Sequence, residues 1–218
     1  MKKTILPYIV FASLIVSCGN SSSSKYPEDS VRVDASKMEV EARPDTLSTV
    51  ERDSFLLSLK DSISIKKEEK KSNLRTVVPK NKPAYMNDNR VYAYFKIDND
   101  NRPTEFRLVI QYCGTGVLMA TNATFVGNGK NYTYTPVEFI RQSELLGDSQ
   151  VEWEWTDEEL TESNQDMIEA LASGDIKEMK IKGRFIFTRD LSQSETAYLR
   201  LIWNTYKHLG GKLPESAL

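Results

Sequence analysis

The acidic and aromatic run that opens at Val151 holds the residue types best suited to chemistry. Glu152, Trp153, Glu154 and Trp155 alternate, and Asp157, Glu158 and Glu159 come directly after. Alternation with a period of two marks a strand, in which residues i and i+2 share a face. Glu152 and Glu154 therefore face one way, and Val151, Trp153 and Trp155 the other. Two carboxylates beside tryptophans resemble glycosidase equipment, which needs a pair of acids across one sugar and an apolar surface to stack it on. A simpler arrangement also fits. The tryptophans enter the core, and the glutamates face solvent or meet Lys180, Lys182 and Arg184 of a second strand. Opposite charges paired across strands contribute roughly 0.2–1 kcal/mol each. On this basis Glu152, Trp153, Glu154, Trp155, Lys180, Lys182 and Arg184 form a structural or ligand patch. The alternative is a hydrolase or a small-ligand or glycan-binding protein using the Trp/Glu surface.

Other reactive constellations are scarce. His208 is the only histidine and falls near the end of a helix, which argues against His-dependent triads and polyhistidine metal sites. There is no Gly-rich phosphate loop and no cysteine cluster. Asp98-Asn99-Asp100-Asn101-Arg102-Pro103 is rich in oxygen, but calcium needs six to eight oxygens at set positions, and the glycine and distant glutamate of an EF-type loop are missing. A plain turn is expected there. No catalytic residue, metal or cofactor is assigned. The net charge of −2 and the pI of 5.7 supply no general attraction to nucleic acid.

The elements after the acidic strand must position it. Ser163-Asn164-Gln165-Asp166 is a helix start with an acid in its first turn. Met167, Ile168 and Leu171 give the helix an inward face, and Gly174 a stop. Met179, Ile181, Phe185 and Phe187 then alternate with Lys180, Lys182 and Arg184. This predicts one half-buried strand with a bulge or close approach at Gly183. The order is a Trp/Glu strand, a short helix, Lys180-Ile181-Lys182-Gly183, an aromatic strand and a last helix through Tyr206 and Leu209-Gly210-Gly211. It resembles an uncharacterised domain of secreted or lipid-anchored bacterial proteins. The resemblance covers about the last 90 residues. It implies a fold and no catalytic residue. Members often carry Arg in place of Lys180.

The first 17 residues read as an export signal, with Lys2 and Lys3 before a short apolar core from Ile5 to Val16. Leu14-Ile15-Val16-Ser17-Cys18 resembles the bacterial lipobox, which implies an acylated Cys18, a palmitate-bearing anchor and a place in the cell envelope. Gly19 rather than Asp after the cysteine is similar to outer-membrane sorting signals. Of the two cysteines, Cys113 is then alone, so no internal disulfide forms. It ends an apolar strand and reads as a small, partly buried side chain.

Residues 18–82 read as a polar linker carrying Ser21 to Ser24, several prolines and the run Lys66-Lys67-Glu68-Glu69-Lys70-Lys71. Such a composition buries too little apolar surface to offset ordering entropy. A coil of about 60 residues reaches roughly 40 Å. A candidate helix lies near residues 48–71, where Ser48-Thr49-Val50-Glu51 matches a capping box.

From Pro83 to the end the chain reads as one globular domain. Val91 to Ile97 and Phe106 to Cys113 form a hairpin. Val117 to Val126 and Lys130 to Thr135 form a second hairpin around Gly127-Asn128-Gly129. Ile140 to Gln150 is expected as a loop or a short turn. A final helix opens with the capping box Ser192-Gln193-Ser194-Glu195 and turns Tyr198, Leu201, Ile202, Thr205 and Leu209 inward.

The fold class is α+β: an antiparallel sheet of about six strands, a short helix and a longer C-terminal helix. A β-sandwich or barrel with a C-terminal helix is the alternative. The expected function is a non-catalytic envelope lipoprotein presenting a binding or structural module. Its partners are the membrane, through its anchor, and an envelope protein, cell wall or glycan, with no nucleic acid.

Overall fold

The computed structural model describes residues 47–67, 73–80, 88–146 and 149–216, all of which fall within one unit, Glu41–Leu218. The expected export signal, Cys18 and the first part of the expected linker lie outside the described residues. The elements in order are α1 (Thr49–Ser58), β1 (Ile63–Lys67), β2 (Arg75–Pro79), β3 (Arg90–Ile97), β4 (Pro103–Gly114), β5 (Asn122–Gly127) and β6 (Lys130–Tyr134). Next come β7 (Ile140–Leu146), β8 (Ser149–Glu159), α2 (Gln165–Ser173), β9 (Glu178–Lys182), β10 (Ile186–Asp190) and α3 (Gln193–His208). They build two antiparallel sheets, ordered β1-β2-β3-β4-β8-β7 and β10-β9-β5-β6. The class is α+β, and neither sheet closes into a barrel.

The folded part begins earlier than composition suggests. Ser48 and Glu51 form the capping box of α1, but the helix stops at Ser58, and Ile63 opens β1 instead of extending the helix. β1 pairs with β2, and Val77 of β2 sits opposite Phe95 of β3. Thus residues 49–79, expected in the linker, supply a helix and two strands. Leu56, Ile63 and Val77 belong to the main core, so a few well-spaced apolar residues outweigh the polar average.

The core lies between the first sheet, α3 and the second sheet. From β4, Phe106, Leu108, Ile110 and Tyr112 face it, as their alternation requires. Phe106 packs edge-on against Trp203 at 5.1 Å and Tyr206 at 4.9 Å. Phe95 meets Tyr206 at 5.5 Å. The Tyr206 hydroxyl donates to the Lys212 carbonyl (2.6 Å) and lies 3.1 Å from that of Thr104. The buried face of α3 is Leu199, Ile202, Trp203, Thr205 and Tyr206. It is rotated from the expected face, because the two large aromatics turn inward and Tyr198 and Leu201 move to its margin.

Two further expectations change. Ile140 to Gln150 is not a loop: it forms β7 and the start of β8. Met179 to Phe187 is not one strand, because the chain turns at Gly183 and β10 folds back on β9. The strand expected from Val117 starts only at Asn122. The second hairpin does form, with Asn128 and Gly129 both at positive φ and Gly127 opposite Lys130, as a two-residue turn demands. Helix α2 opens after a 3-10 turn at Glu162–Asn164, with Asn164 rather than Ser163 as its cap. Its end is closed by Gly174 at φ 87° and by Arg200, which donates to the carbonyls of Ala172 and Ser173.

Gly183 sits against the connection from β4 to β5. A Cβ there would lie 2.1 Å from the Leu118 carbonyl oxygen. Gly183→Ala is expected to cost about 2 kcal/mol in urea denaturation. Gly116→Ala, whose Cβ would meet only the Phe185 ring at 3.6 Å, should change stability by less than about 0.5 kcal/mol.

Glu195 ties α3 to both sheets. Its carboxylate accepts from the Val91 amide (2.9 Å), the Ser192 amide (2.9 Å) and the Arg189 guanidinium. Burial opposes ionisation, but Arg189 and the two amides outweigh it, and the pKa falls below the ordinary 4.5. A folded pKa below the unfolded one stabilises above the unfolded pKa and is lost as pH falls through the folded one. Thermal unfolding should therefore show stability declining as pH falls below about 4.5, with a smaller decline in Glu195→Gln.

Candidate functional site

The expected patch is divided by the fold. β8 pairs with β4 and β7, whereas β9 pairs with β5 and β10. Glu152 and Glu154 thus have no cross-strand relation to Lys180, Lys182 or Arg184. Lys180 pairs with Glu178 at 2.9 Å, and Lys182 and Arg184 are exposed at the β9–β10 turn.

The two faces of β8 are also reversed. Tyr112 of the core lies opposite Glu154, Ile110 opposite Thr156 and Leu108 opposite Glu158. The even-numbered polar residues of β8 therefore share the face of the core residues. Glu154 is 1% exposed and Glu152 3%. Glu154 accepts three backbone amides: Leu118 at 2.7 Å and Met119 at 2.8 Å on one oxygen, Ala120 at 2.6 Å on the other. These amides belong to the connection that leaves β4 and enters β5 in the other sheet. Met119 holds a positive φ of 52°, which helps turn successive amides toward one carboxylate. Glu152 accepts from the Gln150 side-chain amide at 2.7 Å.

Glu158 repeats the device. One oxygen accepts from the Val137 amide at 2.7 Å and the Glu138 amide at 3.2 Å, and the other lies 3.4 Å from the Tyr134 hydroxyl. Burial and then the Glu158 charge push the Tyr134 phenol well above its ordinary pKa. This connection runs from β6 to β7, also between sheets. Its role was not evident from sequence, where Glu158 is one acid in a run. The alternation of β8 was evident, but alternation does not say which face is inside.

Trp153 and Trp155 occupy the opposite face. Trp153 is 8% exposed and lies across from Cys113, while Trp155 is half-buried and lies between Gln111 and Ile140. Burial raises the Cys113 pKa against the lowering effect of Trp153, which favours the thiol over the nucleophilic thiolate. Further along this face Asp157 accepts from Arg107 Nε at 2.8 Å, and the Tyr94 hydroxyl lies 2.9 and 2.8 Å from its two oxygens. Burial first, then Asp157, raises the Tyr94 pKa.

Asp98 Oδ1 accepts the amides of Asp100 and Arg102, and Asn101 Oδ1 accepts from Arg75 at 2.5 Å. Asp98 Oδ1 thus shapes the turn, and Asn101 Oδ1 ties it to β2. Among the described residues no group of three or more His, Cys, Asp or Glu is placed to hold a metal ion. His208 lies in the last turn of α3 with its ring 3.9 Å from that of Phe55.

A pocket adjoins this strand. It has a volume of about 350 Å³ and lies at the end of β8, lined by Arg107, Val137, Glu138, Ile140 and Thr156 to Glu159. Its walls are acidic, with an apolar lip.

No family model, curated protein or solved structure matches the chain.

Glu154→Ala would leave three backbone amides without an acceptor, each worth about 1–3 kcal/mol when buried. A loss of about 3 kcal/mol or more is expected in chemical denaturation. Glu152→Gln, which keeps an acceptor toward Gln150, should cost about 1 kcal/mol or less. Equal, near-zero effects would show that the crossover does not depend on Glu154.

Proposed function

We propose that this protein is a non-catalytic lipoprotein of the bacterial cell envelope that presents a binding or structural module on a polar linker. The observation that carries the non-catalytic reading is the use of the β8 glutamates. Glu154 and Glu158 hold five backbone amides between them, and Glu152 holds a side chain. A glycosidase pair must present free oxygens to a sugar across an open cleft. Trp153, which would have to stack on that sugar, is shielded.

The anchoring reading rests on the residues before Cys18. Lys2, Lys3, the apolar run and Leu14-Ile15-Val16-Ser17-Cys18 support acylation of Cys18, and Gly19 supports delivery to the outer membrane. Several acyl chains hold far better than one, so no membrane-spanning segment is required of such a protein. Among the described residues no helix is long and apolar enough to cross a membrane. With the folded part starting near Ser48, the proposed linker shortens to residues 18–46. The module would thus meet envelope proteins, cell wall or glycan close to its own membrane.

Metabolic labelling with radioactive palmitate checks the anchor. The parent chain is expected to carry label and sediment with membranes, and Cys18→Ser to lose both. Protease treatment of intact and permeabilised cells then separates a surface domain, cut at once, from a periplasmic one, cut only after permeabilisation.

A further inference from the structure

The pairing of β8 is incomplete. On one side β4 accompanies it as far as Glu159, opposite Arg107. On the other side β7 pairs only from Ser149 to Trp155, where Ile140 is the last partner. Among the described residues no strand pairs with Thr156 to Glu159 on that side. In an antiparallel ladder, backbone groups point alternately to the two neighbours. The Leu160 amide donates to the Phe106 carbonyl at 2.8 Å, toward β4. By alternation Glu158 and Thr156 also point toward β4, and Asp157 and Glu159 point toward the other side. The 135–139 connection passes that side but is held by the Glu158 carboxylate rather than by ladder hydrogen bonds. The Asp157 carbonyl accepts from Arg107 Nη2 at 2.5 Å, while the two amides and the Glu159 carbonyl have no partner among the described residues.

The acidic pocket lies on this side. Its lining holds four carboxylates, Glu138, Asp157, Glu158 and Glu159, and one guanidinium, Arg107, which is already bound to Asp157. Glu138 and Glu159 make no ion pair among the described residues and are exposed. Val137, 93% exposed, and Ile140, 44% exposed, form the lip. Thr156 lines the pocket, is 1% exposed, and its hydroxyl has no hydrogen-bond partner. A free strand edge invites an added strand, acidic walls favour cations, and an apolar lip suits the aliphatic stem of lysine or arginine.

We propose that β8 between Thr156 and Glu159 accepts an extended lysine- or arginine-bearing peptide segment of a partner protein as an added strand. The backbone of the segment would engage the Asp157 and Glu159 amides, and one of its cationic side chains would enter the pocket between Glu138 and Glu159. The proposal rests on the binding-module reading and is independent of the lipid anchor, so palmitate labelling and peptide binding can fail separately. The same acids would normally guard an edge against indiscriminate pairing. Here they would also select the charge of the strand admitted.

The test uses the full chain and fluorescein-labelled peptides monitored by anisotropy. Lys-Val-Lys-Val-Lys is expected to bind at least tenfold more tightly than Glu-Val-Glu-Val-Glu. Methylating alternate backbone nitrogens of the cationic peptide should weaken it at least tenfold in one of the two registers. The double variant Glu138→Gln with Glu159→Gln, both at exposed positions, should weaken it at least fivefold. Amide exchange of Asp157 and Glu159 should slow on binding. Absence of binding, equal binding of the two peptides, indifference to methylation in both registers, or unchanged exchange at these amides would each overturn the proposal.

Discussion

The fold depends on carboxylates that face inward from one strand. The chain passes from the first sheet to the second after β4 and returns after β6. Both passages expose successive backbone amides with no ladder to receive them. Glu154 takes three amides of the first passage, and Glu158 takes two of the second. A buried amide without an acceptor costs about 1–3 kcal/mol, so the Glu154 contacts, which are buried or partly buried, weigh most against the 5–15 kcal/mol that holds a typical domain folded, while the Glu158 contacts lie at the surface. β8 is thus a bracket between the sheets as well as a strand within one of them. The backbone supports the bracket from the other side: the Arg184 amide donates to the Leu118 carbonyl at 2.6 Å, and the Thr121 amide to the Lys182 carbonyl at 2.8 Å. The first passage is therefore gripped by β8 on one side and the β9–β10 turn on the other.

The same rule governs the helices. Glu195 caps its own helix, accepts the Val91 amide of the first sheet and binds Arg189 of the second. Arg200 closes the C-terminus of α2 from α3. Each is a charged group spent on backbone at an element end, where hydrogen bonding is incomplete. Charge-assisted bonds of this kind are directional, so they set register and crossing where apolar contacts alone would tolerate sliding. The aromatic packing of Phe95, Phe106, Trp203 and Tyr206 then fills the space so defined.

Legibility in the sequence divides along the same line. Capping boxes were readable at Ser48 and Ser192, because their partners lie three residues away. The Asn128-Gly129 turn and the β3–β4 hairpin were readable for the same local reason. The direction of β8 was not. Trp153 and Glu154 alternate equally well either way, and the usual ranking of tryptophan over glutamate pointed the wrong residue inward. What decides the matter is the Leu118–Ala120 backbone, more than thirty positions distant, and backbone amides leave no mark in a sequence. The early start of the domain was hidden differently. Leu56, Ile63 and Val77 are ordinary apolar residues in a charged stretch, and only their partners on β3 and in the core show that they are enough. Lys180, Lys182 and Arg184 do lie on a polar surface, but one that belongs to a different sheet.

An acidic strand pointed inward changes where recognition can occur. The carboxylates with the most suggestive spacing, Glu152 and Glu154, are unavailable to any ligand. Those that remain open are at the end of β8, where β7 has already stopped and the passage from β6 approaches only through Glu158. The bracket that holds the sheets together is therefore also what leaves this stretch of strand without a neighbour among the described strands. Had the 135–139 segment paired with β8 by its backbone, Glu158 would not be needed to hold it and the acidic pocket would close. The open edge is thus a consequence of how the second crossover is tied. It is held by the Glu158 side chain on a strand whose backbone, among the described residues, pairs with no neighbour on that side.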